Sequence, residues 1–266
     1  GVHFFGTENP ADIAKKSLRV NLSDMASMGA KPVFYNLSLS IPKEKVNFFI
    51  PKFSSGLRED QENFNLELIG GDLTSSPSHI NITISIFGET RGGAFVSRTG
   101  AKNGDLLFVS GILGLAKIGL DNFNKKSKYL STAKKKYLIP EPRVNLGLLL
   151  NNVANSMIDI SDGLAQDTTH LAMNSGLCVE LDLNKIPLPN IPNISNNSLL
   201  NAALYGGDDY ELLFSCNPNQ EKYLKKISLT NHIKLTNIGD FKTYEDKFLK
   251  FKNTSKFPEN KSYLHF

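Results

Sequence analysis

The chain has 266 residues, of which 40% are hydrophobic and 21% charged. That composition is typical of a globular protein with one large domain or two smaller ones. The formal charge of +4 and the pI near 8.9 are mild for this length and predict no nucleic-acid partner. No apolar stretch approaches the roughly 20 residues of a membrane helix, and no signal peptide is visible. We therefore expect a cytoplasmic protein with no membrane partner.

The chain opens with a predicted amphipathic helix. Asn9 and Pro10 form a typical helix start, with Asn as the cap and Pro at the first helical position. Apolar residues then recur at helical spacing until Gly29, which supplies the stop. Asp24 falls in the last turns of this helix, and a strand is predicted to follow over residues 33–40.

A second helix and two strands are predicted before a turn. The helix covers residues 43–63, and a short strand over 66–69 is expected to carry Gly70-Gly71-Asp72 at its carboxyl end. Isoleucines that alternate with polar residues over 80–86 predict another strand. Arg91-Gly92-Gly93 is then expected to turn the chain back.

A composition shift at residues 100–104 predicts a linker and two domains, residues 1–99 and 100–266. The second domain alternates strands and helices. Strands are predicted near residues 106–109, 157–160, 177–183 and 210–215, and helices near 144–154, after a cap at Ser161, and near 198–204.

The basic run and the cysteines are interpreted as structural. The run Lys134-Lys135-Lys136 is expected on a solvated helix face rather than against a phosphate. Cys178 and Cys216 lie in apolar, strand-like segments without metal-ligand spacing, so we expect buried free thiols in a reducing compartment.

Four acidic motifs lie at predicted junctions of strands and helices. They are Asn21-Leu22-Ser23-Asp24, Gly70-Gly71-Asp72, Asp159-Ile160-Ser161-Asp162-Gly163 and Gly206-Gly207-Asp208-Asp209-Tyr210-Glu211. Glycine lets a backbone approach a bulky anion, and carboxylates hold the Mg²⁺ that neutralises it. Together the motifs favour a site for a polyphosphate and several metal ions.

The motif after the predicted strand 157–160 has two interpretations. Asp159 and Asp162 are three residues apart and can face one cation, while Ser161 at a helix start can donate to a phosphate. Alternatively, Ser161 and Asp162 simply cap the helix.

The other candidates also have structural alternatives. Gly70-Gly71-Asp72 can be an ordinary turn, Asp24 can simply be exposed, and the cluster at Asp208 can be capping or solvated. His3 lies between apolar residues and can be a structural histidine. Arg98 can bind a phosphate through two hydrogen bonds or can be a surface arginine.

Taken in order, the motifs resemble those of the thiamine-monophosphate kinase family, which shares a superfamily with aminoimidazole ribonucleotide synthetase. The resemblance covers essentially the whole chain. The matching segments are Gly1-Val2-His3-Phe4, Asn21 to Pro32, Gly70 to Asp72, Arg98 to Ala101, Asp105 to Gly111, Pro142-Arg143, Ile158 to Leu164 and Gly206 to Phe214.

The resemblance implies an α+β, two-domain fold of the aminoimidazole ribonucleotide synthetase type. Its N-terminal sheet domain would dimerise with a second copy, and its C-terminal domain would be an α/β sandwich. The implied activity is direct in-line transfer of the γ-phosphoryl group of ATP to thiamine monophosphate, which gives thiamine diphosphate. The implied site residues are Asp24, Asp72, Asp159 and Asp162 for several Mg²⁺ ions, Gly71, Asp72, Arg98 and Ser161 for ATP, and His3, Asp208 and Tyr263 for thiamine monophosphate.

Two departures from the family pattern matter. The family has a further segment before Gly1-Val2-His3-Phe4, with a Gly-Asp-Asp metal motif and a Thr-Thr-Asp strand, so we expect further magnesium and ATP ligands there. The family's Gly-Gly-Glu-Asp reads Gly206-Gly207-Asp208-Asp209 here, which shortens the substrate-facing carboxylate by one methylene. Two alternative functions therefore stay open: another ATP-dependent enzyme of the superfamily, or a catalytically impaired nucleotide-binding fragment.

Overall fold

The computed structural model describes residues 1–252, so the predicted substrate residue Tyr263 lies outside the described residues. The helices in this part of the chain are α1 (Pro10–Ser27), α2 (Val46–Phe64), α3 (Leu115–Asp121), α4 (Ser131–Leu138), α5 (Val144–Leu150), α6 (Leu164–Asn174), α7 (Asn196–Tyr205) and α8 (Glu221–Asn231). The strands are β1 (Ala30–Ile41), β2 (Glu67–Ser75), β3 (Asn81–Thr90), β4 (Leu106–Ser110), β5 (Ser156–Asp159), β6 (Leu177–Asp182), β7 (Leu212–Cys216), β8 (Leu235–Thr243) and β9 (Leu249–Lys252).

Helix α1 confirms the prediction made from its cap and spacing. The Asn9 side chain accepts a hydrogen bond from the backbone N–H of Ala11 at 3.2 Å, and Pro10 is the first helical residue. Leu18 and Leu22 are fully buried on one face. That face packs against α2 and the first sheet. The opposite, polar face of α1 is therefore oriented toward the site described below.

The first sheet has three strands in the order β2-β1-β3, with β1 parallel to β2 and antiparallel to β3. The alternating isoleucines form β3, as predicted. The expectation that Gly70-Gly71-Asp72 ends its strand is wrong, because pairing continues through Gly71 opposite Leu37 to Ser75. A Cβ on Gly71 would lie 1.8 Å from the Leu37 carbonyl oxygen. Glycine therefore permits close strand pairing here rather than a turn.

The second sheet has six strands in the order β5-β7-β4-β8-β6-β9, all antiparallel except the β6–β9 pair. Its side chains alternate between two apolar cores. On β4, Phe108 joins the core shared with α1 and the first sheet, whereas Leu107 and Val109 join the core covered by α6 and α7. The α+β class is thus confirmed.

One hydrophobic core joins the two sheets. Leu18 and Tyr35 from the first part of the chain belong to the same buried cluster as Met157 and Phe214 from the second. This shared core holds α1 against the end of β5, which is where two of the acidic motifs meet.

Other element predictions require correction at their ends. The predicted helix 144–154 ends at Leu150, and helix α6 begins at Leu164 with Gly163 at its N-cap, so Ser161 is not the cap. The predicted solvated helix face is wrong for Lys136, whose Nζ lies 2.9 Å from the buried Glu211 carboxylate. The interior carboxylate attracts this one lysine of the run inward.

Both cysteines are buried free thiols, as predicted for Cys178 and Cys216. Among the described residues, none of the helices combines the length and the apolar character that crossing a membrane requires.

Candidate active site

Two aspartates meet where helix α1 contacts the end of β5. Ser23 Oγ donates a buried hydrogen bond of 2.6 Å to Asp159 Oδ2, and Asp24 is the next residue on the helix. Burial raises the pKa of Asp159 to about 6, and the charge of Asp24 acts in the same direction. Two neighbouring carboxylates that disfavour each other's ionised form are a suitable donor pair for a hard cation.

Arg98 supplies positive charge beside this pair. Partial desolvation raises the pKa of Asp24 even though solvent reaches its carboxylate, and Arg98 opposes that rise. Arg98 also lowers the pKa of Asp159, although burial remains the larger effect. The exposed guanidinium is therefore close enough to the predicted metal ligands to meet an anion bound between them.

Asp162 is oriented by the first turns of helix α6. Gln166 Nε2 donates to Asp162 Oδ2 at 2.9 Å. The backbone N–H groups of Asp162 and Gly163 both donate to Asp167 Oδ2 at 3.2 Å. Asp167 takes over the role predicted for Ser161, because a side chain inside the helix satisfies the amides at its start.

The buried Asp167 extends the acidic region into the protein. Burial raises its pKa well above the ordinary value, and the charges of Asp162 and Asp159 add to the shift. Ser161 between these aspartates is exposed, so its hydroxyl is accessible to a ligand.

Gly71 and Asp72 lie on the exposed strand β2. Asp72 pairs with Ser38 of β1, and every residue of β2 is exposed. Within residues 1–252, no group of three or more His, Cys, Asp or Glu side chains is arranged to hold a metal ion. The structure thus brings Asp24 and Asp159 together, and the four-aspartate metal set stays a prediction.

Asp208 belongs to a strained loop that is hydrogen-bonded to the Asp159–Asp162 motif. Asp208 and Tyr210 have left-handed φ angles of 60° and 48°. The backbone N–H groups of these two residues donate to the carbonyls of Ser161 and Ile160, both at 2.9 Å. The Asp208 carboxylate accepts from Lys16 Nζ at 2.8 Å and from the Tyr210 hydroxyl at 3.0 Å.

Two buried carboxylates anchor this loop. Asp209 Oδ2 accepts the backbone N–H of Gly114 at 2.6 Å, and burial raises the pKa of Asp209 to about 7. Glu211 accepts two 2.7 Å hydrogen bonds from Arg143 and one of 2.9 Å from Lys136. Burial alone would raise the pKa of Glu211, but these two cations hold it below its ordinary value. The anchors keep the left-handed residues Asp208 and Tyr210 in place.

A cavity of about 640 Å³ connects the two ends of the predicted site. His3 and Asp208, predicted to contact the substrate, line it together with Ser161 and Asp162, predicted to contact the phosphates and metal. Asp24, Asp72, Asp159, Arg98 and Gly71 are not in its lining.

Two further lining residues were not predicted from the sequence, Lys16 and Tyr137. Lys16, Val20 and Asp24 recur at four-residue spacing, so they lie along one side of helix α1. That spacing is the sequence pattern that could have placed Lys16 on the same side of the helix as Asp24. Tyr137 lies in helix α4, next to the three lysines that were expected on a solvated helix face, and no local pattern indicated its approach to α1.

Comparisons with known proteins agree with this architecture. Residues 1–90 match the family model described as AIR synthase related protein, N-terminal domain. The thiamine-monophosphate kinase of Buchnera aphidicola subsp. Schizaphis graminum is 39% identical over 275 residues, which cover 100% of this chain and 84% of the relative.

Solved structures give the same result at the level of the fold. The thiamine-monophosphate kinase from Stenotrophomonas maltophilia K279a has a TM-score of 0.88 at 31% identity, over 95% of this chain and 82% of that one. AaThiL complexed with AMPPCP and TMP also has a TM-score of 0.88, at 29% identity, over 100% of this chain and 84% of that one.

The α+β architecture with two sheets, and the acidic motifs where helix α1 meets the end of β5, define the class of protein. It is an AIR synthase-related protein. Within that class, the identity and coverage of the relatives assign the family. The chain belongs to the thiamine-monophosphate kinase family.

Proposed function

We propose that this chain is a thiamine-phosphate kinase, which transfers the γ-phosphoryl group of ATP to thiamine monophosphate. The observation that carries the proposal is that one cavity is lined both by Ser161 and Asp162, which are predicted to contact the phosphates and metal, and by His3 and Asp208, which are predicted to contact the substrate. The structurally similar AaThiL is complexed with AMPPCP, an analogue of ATP, and with TMP.

The residues suit a transfer between two anions. An oxygen of the acceptor phosphate attacks the γ-phosphorus, a new P–O bond forms, and the bond from the γ-phosphorus to the bridging oxygen breaks to release ADP. The acceptor phosphate is ionised near neutral pH, so no strong general base is required. Positioning and the offset of negative charge then supply most of the catalysis.

We further propose that Asp24, Asp159 and Asp162, with Asp72, hold Mg²⁺. The fit rests on the donor chemistry of Asp24 and Asp159, two adjacent carboxylates, one buried, whose mutual repulsion a cation relieves. When bound, Mg²⁺ neutralises polyphosphate charge. The proposed nucleotide contacts are Gly71, Asp72, Arg98 and Ser161, and the proposed substrate contacts are His3, Asp208 and Tyr263.

The proposed assembly is a homodimer formed through the first sheet. Strand β2 is an edge strand with every residue exposed, including Leu68, Ile69 and Leu73. An apolar strand with an unpaired edge is a ready surface for a second copy.

We also propose the two-domain division 1–99 and 100–266, with one sheet in each part. The proposed compartment is the cytoplasm, which suits the two free thiols.

The test is an ADP-release assay coupled to direct detection of thiamine diphosphate, on the protein expressed from its complete reading frame. We expect equimolar ADP and thiamine diphosphate, and no ADP when thiamine monophosphate is omitted. ADP release that requires a different phosphorylated acceptor would assign the chain another activity of the superfamily. ADP release without any acceptor would show an ATPase and contradict the proposal.

A further inference from the structure

Lys16 is held at the wall of the cavity by an anion and an aromatic ring. Its Nζ lies 2.8 Å from Asp208 Oδ2 and 3.8 Å from the centroid of the Tyr137 ring. Only 15% of the Lys16 side chain is exposed. The ammonium is therefore largely withdrawn from bulk water and oriented by contacts from the loop that carries Asp208 and from helix α4.

The charged side chains that line the cavity are mostly acidic, which makes the position of the positively charged Lys16 important for ligand binding. Among the described residues that line it, Glu8, Asp12, Asp162 and Asp208 are acidic, and Lys16 is the one lysine or arginine. A phosphomonoester entering this space meets carboxylates on several sides. A positive side chain at the point where its phosphate comes to rest offsets this repulsion.

The ammonium of Lys16 has capacity for such a ligand. Lysine carries three N–H donors, of which Asp208 accepts one. The Tyr137 ring attracts the cation through its face without neutralising it. A compact ammonium binds phosphate as a point charge and donates short, charge-assisted hydrogen bonds.

We propose that Lys16 binds the phosphate of the acceptor substrate and holds it beside Asp208 for attack on the γ-phosphoryl group. This inference rests on the proposed function and adds a catalytic residue to it. Lys16 transfers no proton: the bond made is between the acceptor oxygen and the γ-phosphorus, and the bond broken releases ADP. The lysine offsets charge on the attacking phosphate throughout.

The experiment separates phosphate binding from a structural ion pair with Asp208. Calorimetric dissociation constants for thiamine monophosphate, thiamine and ATP are measured on the native protein and on Lys16→Met. We expect affinity for thiamine monophosphate to fall by about 10- to 100-fold, the loss of one charge-assisted hydrogen bond. Affinities for thiamine, which lacks the phosphate, and for ATP stay unchanged.

Lys15→Met is the matched control, because Lys15 is the adjacent residue on the same helix and pairs with Glu59 outside the cavity. This control is expected to bind all three ligands as the native protein does. Lys16→Arg keeps the charge and is expected to recover part of the lost affinity.

Each other outcome overturns a stated claim. Equal losses for thiamine and thiamine monophosphate would make Lys16 a structural residue, and a loss confined to ATP would place it on the nucleotide. Native protein that binds thiamine monophosphate without transferring phosphoryl would contradict the proposed function, while the affinity ratios would still decide the role of Lys16. Native protein that binds no thiamine monophosphate would contradict both.

Discussion

The Ser23 hydroxyl donates a 2.6 Å hydrogen bond to Asp159 Oδ2, which links the last turns of helix α1 to the carboxyl end of β5. Both residues are buried, and 136 positions of sequence separate them. The neighbouring Asp24 is thereby held beside Asp159. A single buried hydroxyl thus bridges two of the four acidic motifs.

Removing this hydroxyl tests whether the acidic pair binds the metal–nucleotide complex. In Ser23→Ala, Asp159 loses the donor that orients it, so we expect Mg²⁺-dependent ATP affinity to fall by about tenfold. Ser27→Ala is the matched control, since Ser27 is buried on the same helix but donates only to the backbone carbonyl of Asp24. Calorimetry of both variants measures the difference. Equal ATP affinity in the two variants would mean that the Ser23–Asp159 bond is purely structural.

The metal assignment itself is tested by neutralising two carboxylates. We expect Asp159→Asn combined with Asp162→Asn to abolish Mg²⁺-dependent ATP binding, because an amide is a far weaker ligand for a hard cation than a carboxylate. Asp121→Asn, on the exposed end of α3, serves as the control. Titration of ATP with and without Mg²⁺ gives the result. Unchanged nucleotide affinity in the double variant would leave these aspartates with a structural role only.

Local patterns predicted the elements whose signals are contained within one segment. The Asn9-Pro10 start and helical spacing predicted α1, and alternating isoleucines predicted β3, because caps and periodicity act over a few residues. The pair Gly70-Gly71 misled for the same reason. Whether this pair forms a turn or continues the strand depends on the partner strand, whose carbonyl approaches Gly71. Local sequence does not reveal that partner.

The sequence predicted which residues belong to the site, but only part of their arrangement in space. Motif order supplied Ser161, Asp162, His3 and Asp208, which do line one cavity. The Lys16–Asp208 contact spans 192 positions and depends on how α1 packs against the second sheet. Such long-range pairs follow from tertiary packing, so no single-segment pattern contains them.

The buried Glu211 is predicted to be essential for stability. Glu211→Gln leaves the charges of Arg143 and Lys136 without a partner in a nearly dry environment. We expect a loss of about 3–5 kcal/mol and a melting temperature lower by about 6–15 °C. Calorimetric melting measures the shift. Glu245→Gln, which removes an exposed partner of Lys250, is expected to melt like the native protein. A similar melting temperature for both variants would show that the Glu211 cluster contributes no net stability.

The proposed dimer predicts that a charge on strand β2 separates the subunits. Leu73 is 58% exposed, and Leu73→Asp would bury an unpaired carboxylate in the interface. We expect the variant to be monomeric in size-exclusion chromatography with light scattering, at concentrations where the native protein is dimeric. Leu229→Asp changes an even more exposed leucine, 77% accessible on α8, and should leave the dimer intact. A native monomer, or a dimer in both variants, would place any assembly elsewhere.

The raised pKa of Asp209 predicts a specific pH dependence of stability. In the folded protein the pKa is about 7, chiefly through burial, whereas an unfolded aspartate titrates near pH 4 with a pKa of about 3.9. Between these values the folded state binds the extra proton, so the contribution of Asp209 to stability falls as the pH rises. Asp209→Asn does not titrate, and its neutral side chain can still accept from Gly114.

We therefore expect the variant to gain stability relative to the native protein as the pH rises from about 4 to 7, by on the order of 4 kcal/mol. Urea unfolding across this range measures the difference, and Asp121→Asn, exposed at 49%, provides a baseline without a pH-dependent gain. A stability difference that stays constant with pH would mean that the N–H groups of Gly114 and Ala116 keep Asp209 ionised inside the fold. The anchor of the Asp208 loop would then be a carboxylate rather than a carboxylic acid at neutral pH.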